Sequence, residues 1–404
     1  MTGLLLRRLS FLGFASLALA CIPSLSRACP FCLMQGQTLT TDVSQANLVL
    51  VGLFTNAREG EKLGEGTTDL VIEAVVKKHA ILADRKVVTL ARYVPPVDKK
   101  NKYLVLCDVF QGRITPYRGV AVRADCDIAG YLDGALKRKD SKPSERLAYF
   151  FKFLDNPEIE ISNDAYREFG NAPYQDYRDM AGDLPADRVA AWLRDPQTPS
   201  IRIGLYASIL GHCGKEEHAR LLRSLLEEPS RKVLIGIDGV VAGYTLLRPK
   251  EGWDYLRGML KDSSREFTQR YAAMRAVRFF WDSRPDVIAR KDLAEAVAQL
   301  LEQSDIADLA IEDLRKWGYW ELADRVLALH GRKSHDVPII KRAILRYALC
   351  CKGSDGGPHA PSVAFVNQLR KTDPRSVSDT EELLQLEAKP PLSPSTDTRK
   401  PLKN

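Results

Sequence analysis

The sequence predicts a multidomain α+β protein, a small antiparallel β-barrel followed by an α-solenoid of helix pairs. Three observations lead there. From Gln45 to about Val122, five short runs rich in Val, Ile, Leu and Thr alternate with turn-forming stretches, and no long helix separates them as parallel crossovers require. After Asp125 the apolar residues recur at helical spacing, as in Leu221, Leu222, Leu225 and Leu226. The helical part also resembles itself at intervals of about 30 to 40 residues, the mark of stacked repeats.

The chain opens on a segment with the layout of an export signal, residues 1–28. Arg7 and Arg8 make a positive start, Leu9 to Ala20 is a short apolar run, and Ser26 and Ala28 are the small residues before a cut between Ala28 and Cys29. The apolar run is too short to span a bilayer. The expected location is the periplasm or the extracellular space, with a lipid anchor at Cys21 as the lesser alternative. Export places the cysteines where disulfides persist, and the cut leaves seven of the eight: Cys29, Cys32, Cys107, Cys126, Cys213, Cys350 and Cys351. An odd number leaves at least one thiol free or paired between molecules.

The expected strands lie in "NLVLVGLF", "TTDLVIEAVV", "RKVVTLARYV", "KYLVLCDVF" and "GVAVR", the last following a turn-like "TPYRG". Residues 29–124 form the β-domain and 125–388 the helical one. First members of helix pairs are expected near Ile159, Ile201, Val233, Phe267, Ile306 and Val337. Asp164, Asp238 and Asp308 hold similar places in three of these and are read as polar ties between one pair and the next. Residues 389–404, with four prolines and few apolar residues, are expected to be disordered.

Of the net charge of +7, a surplus of three lies in residues 1–28 and another three beyond Ala388, so the middle is nearly neutral. That gives no support to a nucleic-acid surface, which needs a concentrated basic patch. No later stretch is long and apolar enough for a transmembrane helix.

The order of parts resembles known families. Cysteines just after the signal, "ANLVLVGLF", "TDLVIEAVVKK" and "YLVLC" resemble the netrin-like (NTR) module, the OB-type barrel of the tissue inhibitors of metalloproteinases. The segment from about Cys126 to Leu386 resembles divergent HEAT-type repeats. The combination resembles a group of exported bacterial proteins of unassigned function whose mature chains begin with a similar Cys-Pro-Phe-Cys.

Cys29, Cys32, Cys107 and Cys126 are the candidate disulfide residues, with Cys29 and Cys32 bridged to Cys107 and Cys126 or one of them paired with its neighbour. Connectivity is open, since four cysteines allow three pairings. The glutaredoxin-like frame of "CPFC" raises a thiol oxidoreductase as an alternative. That chemistry needs a preceding strand and a following helix whose N-terminus lowers the thiol pKa, and the preceding residues are signal. A metalloprotease inhibitor, which begins Cys-x-Cys, is the remoter alternative. In "GHCGKEEH" the cluster His212, Cys213 and His218 is read as an interhelical turn with Cys213 buried and the histidines partly exposed. Cys350 and Cys351 are expected to pair elsewhere or stay as buried thiols. The aromatic runs at Tyr149–Phe153, Phe279–Trp281 and Trp317–Trp320 read as core. Arg275 and Arg278 share one side of a helix, as salt-bridge formers or a ligand-facing patch. No catalytic residue, metal or cofactor is assigned. The expected role is binding of a protein or other envelope ligand.

Overall fold

A computed structural model describes residues 29–61, 65–95 and 100–389. The export-signal reading of residues 1–28, with Cys21 and Ala28, lies outside the described residues, as does the tail reading beyond Lys389.

A short helix α1 (Leu39–Gln45) leads into the strands β1 (Leu48–Glu59), β2 (Gly66–Lys77), β3 (Val87–Leu90), β4 (Asn101–Phe110) and β5 (Arg113–Arg123). They form one antiparallel sheet in the order β3-β2-β1-β4-β5. All five expected strands are present, with one displacement. "TPYRG" is not a turn but part of β5. The β4–β5 reversal falls instead at Gln111 and Gly112, both at positive φ, as a tight hairpin with two such residues requires. Pro116, which has no N–H to give the ladder, is accommodated by a register shift between Leu106 and Cys107.

Strand alternation buries both faces of the sheet. Leu48, Leu50, Leu70, Val88, Leu90, Val105 and Cys107 form a small core on one face. Their neighbours Val49, Val51, Leu104, Leu106, Val120 and Val122 point the other way, into a core shared with the helices. The sheet is therefore docked on the helical region across the boundary near residue 124.

The helices are α2 (Ile128–Leu136), α3 (Pro143–Phe151), α4 (Ile159–Asn171), α5 (Tyr174–Ala181), α6 (Ala186–Arg194), α7 (Ile203–Cys213), α8 (Glu216–Glu227), α9 (Arg231–Ile235) and α10 (Ile237–Leu247). There follow α11 (Pro249–Lys261), α12 (Phe267–Ser283), α13 (Arg290–Val297), α14 (Ala307–Lys316), α15 (Ala323–Leu327), α16 (Pro338–Cys350), α17 (Ala360–Thr372) and α18 (Pro374–Ala388). Five of the six expected pair starts fall at one of them. Ile159 and Phe267 begin α4 and α12, Ile306 and Val337 are the N-caps of α14 and α16, and Val233 lies within α9. Ile201 falls in a 3₁₀ turn leading into α7.

Local chemistry sets several of these starts. Asp127 and Asp373 cap α2 and α18 by accepting from Gly130 N and Ser376 N, each worth about 1 kcal/mol. Proline stands in the first turn of α3, α11, α16 and α18, where its missing N–H costs nothing. First members then pack side by side, α7 on α10 and α10 on α12, with α14 on α16. The expected aromatic core is present: Phe150, Phe151, Phe279 and Phe280 are buried, and Trp281 stacks on Trp317 at 4.2 Å.

Candidate functional site

The amino-terminal residues Cys29–Thr38 form no helix or strand. They run as a strap across the helical region. Cys29 N donates to the carbonyl of Gly170 at 3.2 Å, and Leu33 N donates to the Tyr166 hydroxyl at 3.1 Å. Gly36 exchanges two hydrogen bonds with the Asn171 side chain, at 2.9 and 2.7 Å. Phe31 is buried edge-on against Phe279 at 4.8 Å. Glycines make room for this. A Cβ at Gly170 would lie 2.2 Å from Met34 O, and one at Gly204 would lie 2.9 Å from Phe31 O.

Beyond the strap, Asp164 fixes the start of α1. Only 1 % exposed, it accepts from the backbone N–H groups of Leu39 and Thr40, from Thr40 Oγ1 at 2.6 Å and from the Tyr131 hydroxyl at 2.7 Å. Asp164 thus ties α4 back to the amino-terminal segment, not forward to the next pair. Asp238 does link α10 forward, through Arg275 on α12. At α14 the linking acid is Asp313, which accepts from Arg278 at 2.6 Å, while Asp308 is half-buried. The sequence pattern marked the right helix but the wrong turn.

Within the strap Cys29 and Cys32 are bonded to each other, S–S 2.10 Å, so the neighbour pairing is the one present. Cys107 and Cys126 are free thiols and form no bridge to the strap. Cys29 and Cys32 are 2 % and 7 % exposed, which leaves little access for the in-line attack that thiol–disulfide exchange requires. No helix follows Cys32 until Leu39, so no helix N-terminus stabilises a thiolate there. Burial pushes the thiols of Cys107 and Cys213 up, to about 12 and about 11.

Beside the strap a groove of about 330 Å³ opens between α9 and α12, lined by Leu234, Ile235, Asp238, Thr268, Tyr271, Ala272 and Arg275. Leu234 and Ile235 are 37 % and 48 % exposed, and Phe267, 40 % exposed, stacks on Tyr271 at its edge. In the wall, Asp238 is 2 % exposed. Its Oδ1 accepts from Gly239 N at 2.8 Å. Its Oδ2 lies 2.9 Å from Arg275 Nη2, yet no donor is aligned with it as a hydrogen bond. Burial raises the Asp238 carboxyl to about 6 in spite of that guanidinium. Arg275 Nη2 also donates to the Pro30 carbonyl at 3.0 Å, which joins groove and strap through one side chain.

The cluster at His212 turns out differently from its reading. Cys213 is half-buried and His218 is the buried histidine, at 2 %. His218 receives Lys215 N and reaches Asp187 at 3.2 Å. His212 lies 3.1 Å from the Tyr174 hydroxyl, and burial, with Arg284 and Arg178 nearby, lowers its pKa to about 4. Among the described residues no group of three or more His, Cys, Asp or Glu could hold a metal ion, and no helix is long and apolar enough to cross a membrane. Of the residues lining the groove, the sequence had marked Asp238, as a tie between pairs, and Arg275, as a salt-bridge former or ligand-facing residue. Comparison of the chain with family models, curated proteins and solved structures gave no match.

Proposed function

We propose that this is an exported binding protein that recognises a protein partner through its helical face, with the groove between α9 and α12 as the contact point. The observation that carries the reading is the groove itself, lined by exposed Leu234 and Ile235, with exposed Phe267 stacked on Tyr271 of its wall. Exposed apolar clusters are costly in water unless something covers them. The buried Cys29–Cys32 bridge supports a holding role over catalysis. A metalloprotease inhibitor would have to present the Cys29 nitrogen to a zinc ion, but that nitrogen is engaged with Gly170 O.

Two finer readings belong to the same proposal. The strand order β3-β2-β1-β4-β5, with the edges β3 and β5 approaching each other, supports an NTR-like, OB-type barrel. The side-by-side packing of successive first helices supports a HEAT-like α-solenoid, an architecture that offers long surfaces to partners.

The test is a photo-crosslinking residue placed at Ile235 of the full chain in its own host, with the same residue at exposed Phe110 as control. A discrete adduct from Ile235 and none from Phe110 supports the reading. Equal labelling at both positions, or none at either, overturns it.

A further inference from the structure

We infer that the cut between Ala28 and Cys29 locks the strap, because the α-ammonium it creates on Cys29 binds the C-terminal end of α4. This rests on the export reading above and goes beyond it in giving the cut a structural effect. Hydrolysis by a signal-processing peptidase puts the water oxygen on the Ala28 carboxylate. Cys29 is left with an amine that takes up a proton at neutral pH.

The contact already stands in the structure. Cys29 N donates to the Gly170 carbonyl at 3.2 Å. Gly170 is one residue from the end of α4 at Asn171, in the turn whose carbonyls receive no helical N–H. Before the cut this nitrogen is an amide with a single hydrogen. After it, the same nitrogen is a charged donor, which makes the stronger bond to the same carbonyl. Loss of the bond to Ala28 also opens one side of the nitrogen to water, which receives the remaining hydrogens.

The end of α4 is electrostatically suited to a cation. Aligned peptide dipoles give the last turn of a helix a partial negative charge. Over its 13 residues α4 carries no basic side chain in that turn. The Cys29 ammonium supplies the missing charge from another part of the chain.

The strap is built to pass this gain along its length. Cys29 is bonded to Cys32, so its nitrogen cannot leave Gly170 without moving the loop between them. At the other end Gly36 rests on the side chain of Asn171, the residue after Gly170, so both ends of the strap meet one helix end. Between them Leu33 N rests on Tyr166, and the Pro30 carbonyl holds Arg275, which lines the groove between α9 and α12. Locking the strap therefore also steadies a side chain of the proposed contact surface.

The experiment compares two full mature chains that differ only at the amine. Synthetic Cys-Pro-Phe, with its amine free or acetylated, is joined to the chain beginning at Cys32, and the Cys29–Cys32 bridge is then formed. Hydrogen exchange at Leu33 and Gly36 should be about two- to fivefold faster in the acetylated chain. The difference should shrink in about 1 M salt, which screens a charge but leaves the bulk of an acetyl group unchanged. Equal exchange in the two chains, or a difference that salt leaves untouched, overturns the inference. Intact mass of the chain exported by its own host should place Cys29 first. Any other first residue overturns the cut and the inference with it. Cys29 first with equal exchange removes the inference and leaves the export reading standing.

Discussion

Opening the Cys29–Cys32 bridge should loosen the strap and almost nothing else. The bridge closes a loop of only four residues, and the loop-entropy relation gives about 2 kcal/mol for that length. A bridge from Cys29 to Cys107 would enclose far more chain and be worth about 4.5 kcal/mol on the same relation. The smaller value acts on the undocked strap, which gains freedom once the bridge is open. The population of that local opening should therefore rise roughly 25-fold, at tenfold per 1.4 kcal/mol. Hydrogen exchange of the intact and reduced full chain reads this directly. Peptides covering Leu33 and Gly36, whose N–H groups rest on Tyr166 and Asn171, should exchange about 25 times faster after reduction. Peptides from β4, α10 and α14 should not change. Loss of protection in the strap and β4 together would mean that the cysteines are paired across to the sheet, and an unchanged strap would mean that the bridge restrains nothing.

Asp164→Ala should cost about 2 to 4 kcal/mol in urea unfolding, because it strands the buried Tyr131 hydroxyl and the Leu39 N–H; a loss below 1 kcal/mol would show that water replaces the carboxylate. Gly170→Ala should destabilise despite alanine's better helix propensity, because the new Cβ would meet Met34 O, and the strap should show faster exchange; a more stable variant would mean that the strap shifts freely. His212 has a folded pKa of about 4 against 6.5, so its neutral form stabilises fully above pH 6.5 and the benefit is lost as pH falls toward 4, by about 3 kcal/mol at most. Asp238, raised by burial, acts in the opposite sense, its contribution fading as pH rises from about 4 to about 6. The difference between the chain and His212→Gln across pH 4–7 isolates the histidine, and a flat difference would refute its assignment.

What was legible in the sequence was whatever depends on near neighbours. Strand runs, helix starts with their caps and prolines, and the aromatic core all follow from side-chain period and local backbone chemistry, and each is present close to its expected place. The β4–β5 turn was misplaced because Pro116 reads as a turn residue locally, whereas a register shift in the ladder lets a strand carry it. The repeat pattern located Asp238 but could not say that Asp164 turns back to α1, since that choice depends on Thr40 and Tyr131 arriving from elsewhere in the chain.

The candidate site is the extreme case of the same limit. Pro30 and Arg275 are separated by 245 positions, and no periodicity connects them. The strap has no helix or strand of its own, so it reads as a leader to the first strand rather than as part of the helical core. Once it is laid across α4, α7 and α12 its role changes. Phe31 fills the space beside Phe279, and the Pro30 carbonyl takes a donor from Arg275, which also faces Asp238 Oδ2. Short opening motif and distant groove are two ends of one arrangement, joined through the side chain of Arg275.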